Sequence, residues 1–231
     1  MLAMPSAAAL LEVWETGERE HAIDRALTLL QAFTGEPRAA LAALGLHRRD
    51  ALLVQSRILA FGPRLAGVAV CSSCACEVEV ELQLSAPGDD ELRDGGSLEV
   101  RGQTVAYRVP NSYDLAAVAT AGDTTAGAAV LRSRCIEAGE PLDEETLAKA
   151  EQALETLCVP ATIEVATTCP ACDVPFAPVV DIGSILWREL NAYARRLLDD
   201  VDALATKYGW SERAILALPD ARRQRYLEGA W

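Results

Sequence analysis

Two Cys-x-x-Cys pairs constrain this chain more than any other feature: Cys71-Ser72-Ser73-Cys74 and Cys169-Pro170-Ala171-Cys172. Two residues between cysteines let a tight turn aim both sulfurs at one ion, and two such turns supply the four thiolates of a tetrahedral structural zinc. The gap between the pairs is far longer than the roughly 15–20 residues of a compact zinc ribbon. Everything between them therefore reads as an excursion from one metal-pinned core. Cys76 leaves the first pair open, because Cys74-Ala75-Cys76 offers a second choice of ligands. The competing readings are unligated buried cysteines, or a dithiol redox site; no βαβ pattern surrounds either pair to favour the latter.

At 231 residues the chain is long enough for one elaborated domain or two small ones. Hydrophobic residues make up 51% and no low-complexity tract appears, so a folded globular protein is expected. The apolar runs fall short of the ~18 residues that cross a bilayer. Met1 to Leu11 lacks a basic stretch and runs into Glu12, so no secretory signal is expected. Seven cysteines, an odd number in paired spacing, suit a reducing compartment, and the expected site of synthesis is the cytoplasm. A formal charge of −13 argues against nucleic acid as the main partner and is compatible with basic protein partners.

Helical spacing comes first. Leu11, Trp14, Ile23, Leu27 and Leu30 fit helices broken at Gly17 and closed by Gly35-Glu36-Pro37. Arg38 to Leu44 reads as a short helix with Gly45 as a left-handed cap, and Asp50 to Phe61 as another. The period then changes. Val78, Val80, Leu82 and Leu84 alternate with Glu77, Glu79, Glu81 and Gln83, which predicts a half-buried strand with an acidic outer face. Leu98–Val100 and Val105–Val109 predict a hairpin. With the segments around Ile163 and Phe176 these strands are expected to make one small antiparallel sheet, the knuckles at its turns. Asn111-Ser112-Tyr113-Asp114 predicts a capped helix start, followed by helices over Thr124–Ile136 and Asp143–Leu157, with Pro160 as the stop.

Ser184 is expected to cap a long helix striped by Leu186, Leu190, Tyr193, Leu197, Val201, Leu204 and Tyr208, ended by Gly209. Ser211 and Pro219 open two short helices, the last carrying Arg222, Arg223, Arg225 and Tyr226. His21 and His47 stand beside no nucleophile motif and read as structural. The fold class expected is α+β, with a zinc-ribbon-like β core. Its regions are an N-terminal helical region over 1–64, the first knuckle and strands over 65–110, a helical insertion over 111–160, the second knuckle over 161–183, and a C-terminal helical arm over 184–231.

Several motifs carry a resemblance. Cys169-Pro170-Ala171-Cys172, Leu186-Trp187-Arg188-Glu189-Leu190, Tyr208-Gly209-Trp210-Ser211-Glu212, Ile215-Leu216-Ala217-Leu218-Pro219 and Arg222-Arg223-Gln224-Arg225-Tyr226-Leu227 resemble a family encoded with contractile phage tails and contractile injection systems. That family is similar to the baseplate-hub and hub-assembly proteins of T-even-type phages. Arg49-Asp50-Ala51-Leu52-Leu53 and Val109-Pro110-Asn111-Ser112-Tyr113-Asp114-Leu115 agree with it. The family pattern has Cys-Pro-x-Cys-Gly at both knuckles. This chain has Ser72 and Ala75 at the first and Asp173 at the second, a departure that bears on metal loading.

The resemblance implies a non-catalytic structural or assembly component of a baseplate, with other baseplate and tail proteins as partners. Cys71, Cys74, Cys169 and Cys172 would hold structural Zn2+. Trp187, Tyr193, Trp210, Arg222, Arg223, Arg225 and Tyr226 are the expected partner-binding residues, since aromatic and arginine anchors dominate interfaces. The second class considered is a zinc-ribbon adaptor that binds nucleic acid through the terminal basic helix. The third is an enzyme; no H-E-x-x-H, P-loop or G-x-S-x-G motif appears, and four thiolates leave zinc no position for water.

Overall fold

The computed structural model describes residues 2–158 and 162–229. Pro160, expected to end the insertion, and Trp231 lie outside them. In chain order come α1 (Ala7–Gly17), α2 (Ala22–Thr34), α3 (Arg38–Ala43), α4 (Leu46–Phe61), β1 (Arg64–Val70), β2 (Glu77–Gln83), β3 (Gly95–Val100), β4 (Gln103–Arg108), α5 (Ser112–Ala119), α6 (Thr124–Cys135), β5 (Ile136–Ala138), α7 (Glu144–Cys158), β6 (Thr167–Thr168), β7 (Pro175–Phe176), α8 (Ile182–Tyr208), α9 (Glu212–Leu216) and α10 (Asp220–Glu228). Among the described residues no helix is long and apolar enough to cross a membrane.

The chain divides into two compact units, Met1–Gly35 with Gly183–Trp231, and Glu36–Ile182. The helical region expected over 1–64 therefore contributes to both. The break falls at Gly35, whose left-handed conformation (φ 72°) closes α2.

Among the described residues the regular elements of the first unit are all helices. Leu186, Leu190, Ala194, Leu197 and Leu204 on α8 are at most 2% exposed and recur at helical spacing, so one stripe of a long helix is the floor of this core. Leu11, Ala194 and Leu197 form a buried cluster edged by Trp14, Tyr193 and Leu216. Trp14 donates its indole N–H to Asn191 at 2.8 Å. A Cβ on Gly17 would lie 2.6 Å from the Trp187 ring, so the end of α1 needs glycine to approach α8 this closely. Arg25 stacks over the same ring at 4.4 Å and donates to the carbonyls of Gly17 and Glu20. Contrary to expectation, α8 starts two residues before Ser184. Ile182 is itself buried, and Asp181, a residue type that favours helix starts, stands just ahead of it.

In the second unit, Gly45 is not a left-handed cap: with φ −54° it begins α4, four residues earlier than expected. The reason is tertiary. Leu46 donates its N–H to the Pro110 carbonyl at 2.8 Å, and the His47 ring packs where a Gly45 Cβ would be. Among the described residues the strands form three separate small sheets, β1-β2, β3-β4-β5 and β6-β7, rather than the single sheet expected. Arg101 (φ 52°) and Gly102 (φ 80°) make the two-residue turn between β3 and β4, whose positive dihedrals match strand twist. β5, whose first residue Ile136 is read from sequence as the end of a helix, pairs with β4 from Val105↔Ala138 to Tyr107↔Ile136.

Asp114 ties this unit together. Asn111 caps α5 by accepting from the N–H groups of Tyr113 and Asp114, and the Asp114 carboxylate accepts in return from the Asn111 N–H at 2.9 Å. The same carboxylate, fully buried, accepts from Arg108 at 2.6 and 3.1 Å and from Arg134 at 2.7 Å. It thus joins the end of β4, the start of α5 and the last turn of α6. Burial alone would raise its pKa, but the Arg108, Asn111 and Arg134 hydrogen bonds together hold it down at about 2.

A carboxylate depressed in this way contributes stability that is complete above the unfolded value of about 4 and lost as pH falls toward about 2. Asp114→Asn is expected to lower stability at pH 7 by about 1–3 kcal/mol. Denaturant melts between pH 2 and 5 should show a flatter pH dependence for the variant than for the parent chain.

Candidate metal centre

Both knuckles sit at the ends of hairpins, and both are built the same way. β1 pairs with β2 from Arg64↔Gln83 to Val70↔Glu77, and the next rung is the Cys71 N–H donating to the Cys76 carbonyl at 2.9 Å. β6 pairs with β7 through Thr167↔Phe176 and Thr168↔Pro175, and the next rung is the Cys169 N–H donating to the Val174 carbonyl at 3.1 Å. Within each turn the residue after the second cysteine donates back to the first: Ala75 to Cys71 and Asp173 to Cys169, both at 2.9 Å. Those two residues have φ of 58° and 55°. The backbone thus takes, with Ala and Asp, the left-handed step that glycine takes most easily. The second hairpin also continues outward in register to a bridge at Glu164↔Val179.

Two equivalent turns bring four sulfurs together. The ligand atoms of Cys71, Cys74, Cys169 and Cys172 all lie within 4.8 Å of one another. The Cys71 and Cys172 sulfurs are 3.8 Å apart, and those of Cys74 and Cys169 3.6 Å. A tetrahedron with metal–sulfur arms of about 2.3 Å has edges of about 3.8 Å, which the two cross-hairpin separations match, so the four cysteines could hold one ion. Soft sulfur donors in that arrangement suit a tetrahedral metal such as zinc or iron.

Cys76 is not one of the four. It follows the left-handed Ala75, rejoins the strand opposite Cys71, and its thiol donates to the Glu77 carbonyl at 3.5 Å. The first knuckle therefore uses Cys71 and Cys74. Cys71, Cys169 and Val78 form the buried side of the cluster, with Cys76, Val80, Cys172 and Phe176 packed against it. Val78 and Phe176 each stand seven residues after the first cysteine of their knuckle, so the apolar cover is duplicated along with the turns. Cys74 is exposed and Cys172 half-buried.

The turns also prepare the sulfurs electrostatically. The Ala171 and Cys172 amides donate to the Cys169 sulfur and bring its pKa down to about 6 against the opposing effect of burial. At Cys74 the Cys76 amide acts in the same direction, but sharing protons with Cys172 and Cys169 carries the thiol up to about 12. Cys135 and Cys158 lie outside the cluster, and burial raises both thiols.

The residues expected at a partner surface fare differently from one another. Trp187 and Tyr193 pack within the helical unit. Arg223 needs correcting. It is 2% exposed, with its guanidinium donating to Asp200 at 3.1 Å and to Asp220 at 2.8 Å, so it anchors α10 onto α8 instead of facing a partner. Arg225 is exposed and pairs with Glu228 at 2.8 Å; Arg222 is exposed.

Trp210 stacks on Tyr208 with ring centres 4.7 Å apart, and Tyr226 meets Trp210 edge-on at 5.0 Å. Tyr208, read from sequence as part of the buried stripe, is 37% exposed and belongs to this trio. The signal was Tyr208-Gly209-Trp210: left-handed Gly209 (φ 67°) reverses the chain and folds one ring onto the other. His21 caps α2 by accepting from the Ile23 N–H, and His47 is buried, 2.9 Å from the Arg93 carbonyl.

Because glycine takes positive φ more easily than Ala75 or Asp173, replacing each by glycine is expected to stabilise the protein by up to about 1 kcal/mol, less at Asp173, without changing metal content. Denaturant melts and elemental analysis of Ala75→Gly and Asp173→Gly check this. A loss of stability at both sites would show that the side chains themselves support the turns.

No family model, no curated protein and no solved structure matches the chain.

Proposed function

We propose that the chain is a non-catalytic structural or assembly component of the baseplate of a phage-tail-like contractile injection system, in which a four-cysteine zinc site staples two hairpins. The observation that carries the zinc reading is the convergence of two equivalent knuckles on four sulfurs at tetrahedral spacing. When bound, zinc would draw all four sulfurs into the thiolate form and leave no position for water, so its contribution is to folding rather than to chemistry. Cys71 and Cys169 would ligate from the buried side, and Cys74 and Cys172 from the solvent side.

The baseplate reading is supported by the resemblance carried by the knuckle, α8 and α9–α10 motifs. It is supported further by the trio of Tyr208, Trp210 and Tyr226, a partly exposed aromatic surface of the kind interfaces use as anchors. Synthesis in the cytoplasm followed by incorporation into a tail-like particle fits this reading. The nucleic-acid alternative has less support, because Arg223 and Arg225 are paired with carboxylates of the same unit.

Purified protein is expected to contain one zinc per chain by elemental analysis. Cys169→Ser and Cys172→Ser should each lose the metal and several kcal/mol of stability. An unchanged melting temperature with no metal in the parent protein would reduce the cluster to packed thiols. For the partner, tagged protein expressed with its neighbouring genes should recover tail or baseplate proteins. Trp210→Ala with Tyr226→Ala should weaken that recovery at least tenfold, and recovery of none by the parent protein would overturn the assignment.

A further inference from the structure

Two close sulfur contacts run across the two hairpins. Cys71 faces Cys172 at 3.8 Å and Cys74 faces Cys169 at 3.6 Å. Each facing pair has one accessible member and one buried member: Cys172 is half-buried against Cys71 at 2% exposure, and Cys74 is exposed against Cys169 at 0%. A disulfide bond is about 2.05 Å long, so the sulfurs of each facing pair have roughly 1.5–1.8 Å to close. The fifth nearby cysteine, Cys76, packs against the cluster, with its thiol donating to the Glu77 carbonyl at 3.5 Å.

We propose that the four-sulfur site is also an oxidation site for peroxides, at which two cross-hairpin disulfides, Cys71–Cys172 and Cys74–Cys169, replace a metal as the link between the knuckles. The inference rests on the meeting of the four thiols and not on the identity of any metal. In each pair one sulfur attacks a peroxide oxygen. The O–O bond breaks, water or an alcohol leaves, and the sulfur becomes a sulfenic acid. The facing partner then attacks that sulfur, forming the S–S bond and expelling the sulfenic oxygen as water. Two thiols and one hydrogen peroxide thus give one disulfide and two waters, and the two electrons lost by sulfur reduce the peroxide. With two disulfides formed, no thiolate is left for a metal, so release accompanies oxidation.

The chemistry has a structural consequence. Intra-knuckle disulfides would free the hairpins from each other, whereas cross-hairpin ones keep them joined. A protein clamped by metal while thiols are reduced would stay clamped after oxidation.

Protein as purified is titrated with hydrogen peroxide while metal release is followed with a chromogenic chelator. It is then alkylated, cut with trypsin and mapped by tandem mass spectrometry. The knuckles fall in separate tryptic peptides, 65–93 and 150–188. Two peroxides should be consumed per chain, the peptides should be joined by both cross-hairpin disulfides, and Cys76→Ser should leave that map unchanged. Oxidised protein should also melt roughly 5–15 °C above the reduced, chelated protein.

Separate peptides bearing Cys71–Cys74 and Cys169–Cys172 disulfides, unjoined sulfinic acids, or a map dominated by Cys76 would overturn the proposal. If the purified protein holds no metal, the zinc reading fails by itself, and the disulfide map still decides this one.

Discussion

The meeting of two sulfur pairs from opposite ends of a long excursion is the constraint on which the second unit depends. The sulfurs that face each other across the hairpins are separated by 101 and 95 residues in sequence. Bringing such distant points together carries a loop-closure cost that grows only slowly with length, so the length of the excursion is tolerable. What must be supplied is a strong local attraction at the junction. The apolar cover there is slight, amounting to Val78, Val80, Phe176 and the cysteines themselves. A two-stranded hairpin is marginal alone in water, and both knuckles belong to two-stranded sheets. Four thiolates on one ion, as proposed, would add a strong attraction to packing of that size.

Away from the cysteines, the same unit uses a second tie of a different kind. Asp114 gathers Arg108, Arg134 and the Asn111 amide, so a strand end, a helix start and a helix end share one carboxylate. Its side chain is fully buried while both arginines are 42% exposed, which keeps the guanidinium heads partly hydrated and lowers the cost of bringing the charges together. One buried carboxylate thus adds a polar tie between a strand and two helices to the apolar burial of this unit, at the expense of sensitivity to acid.

Much of this was readable from residue order, and what was not has identifiable causes. Local signals placed the helices well: Asn111 and Asp114 announced α5, and the alternation from Glu77 to Gln83 announced β2. Cysteine spacing pointed to the four-sulfur site, since a Cys-x-x-Cys turn has few ways to aim its sulfurs. Non-local partners were invisible. The start of α4 depends on a hydrogen bond from Leu46 to Pro110, and β5 exists because β4 offers it an edge. Dividing the strands among three sheets was equally hidden, because alternation tells a strand which face to bury but not which neighbour to pair with. Arg223 was misjudged because a run of arginines near a terminus looks like an exposed patch. Only the fold shows Asp200, a helix away, waiting for one of them.

The helical unit gives the proposed assembly role a physical form. Tyr208, Trp210 and Tyr226 already rest on one another, stacked or edge-on, so their rotamers are set before any partner arrives. Ordering free side chains at an interface costs free energy for each one immobilised, and rings held in advance avoid most of it. Arg223 works to the same end from inside, fixing α10 against α8 through Asp200 and keeping Tyr226 opposite Trp210. A buried arginine that contacts no partner can therefore matter to docking as much as an exposed one. It sets the angle at which the aromatic surface is presented.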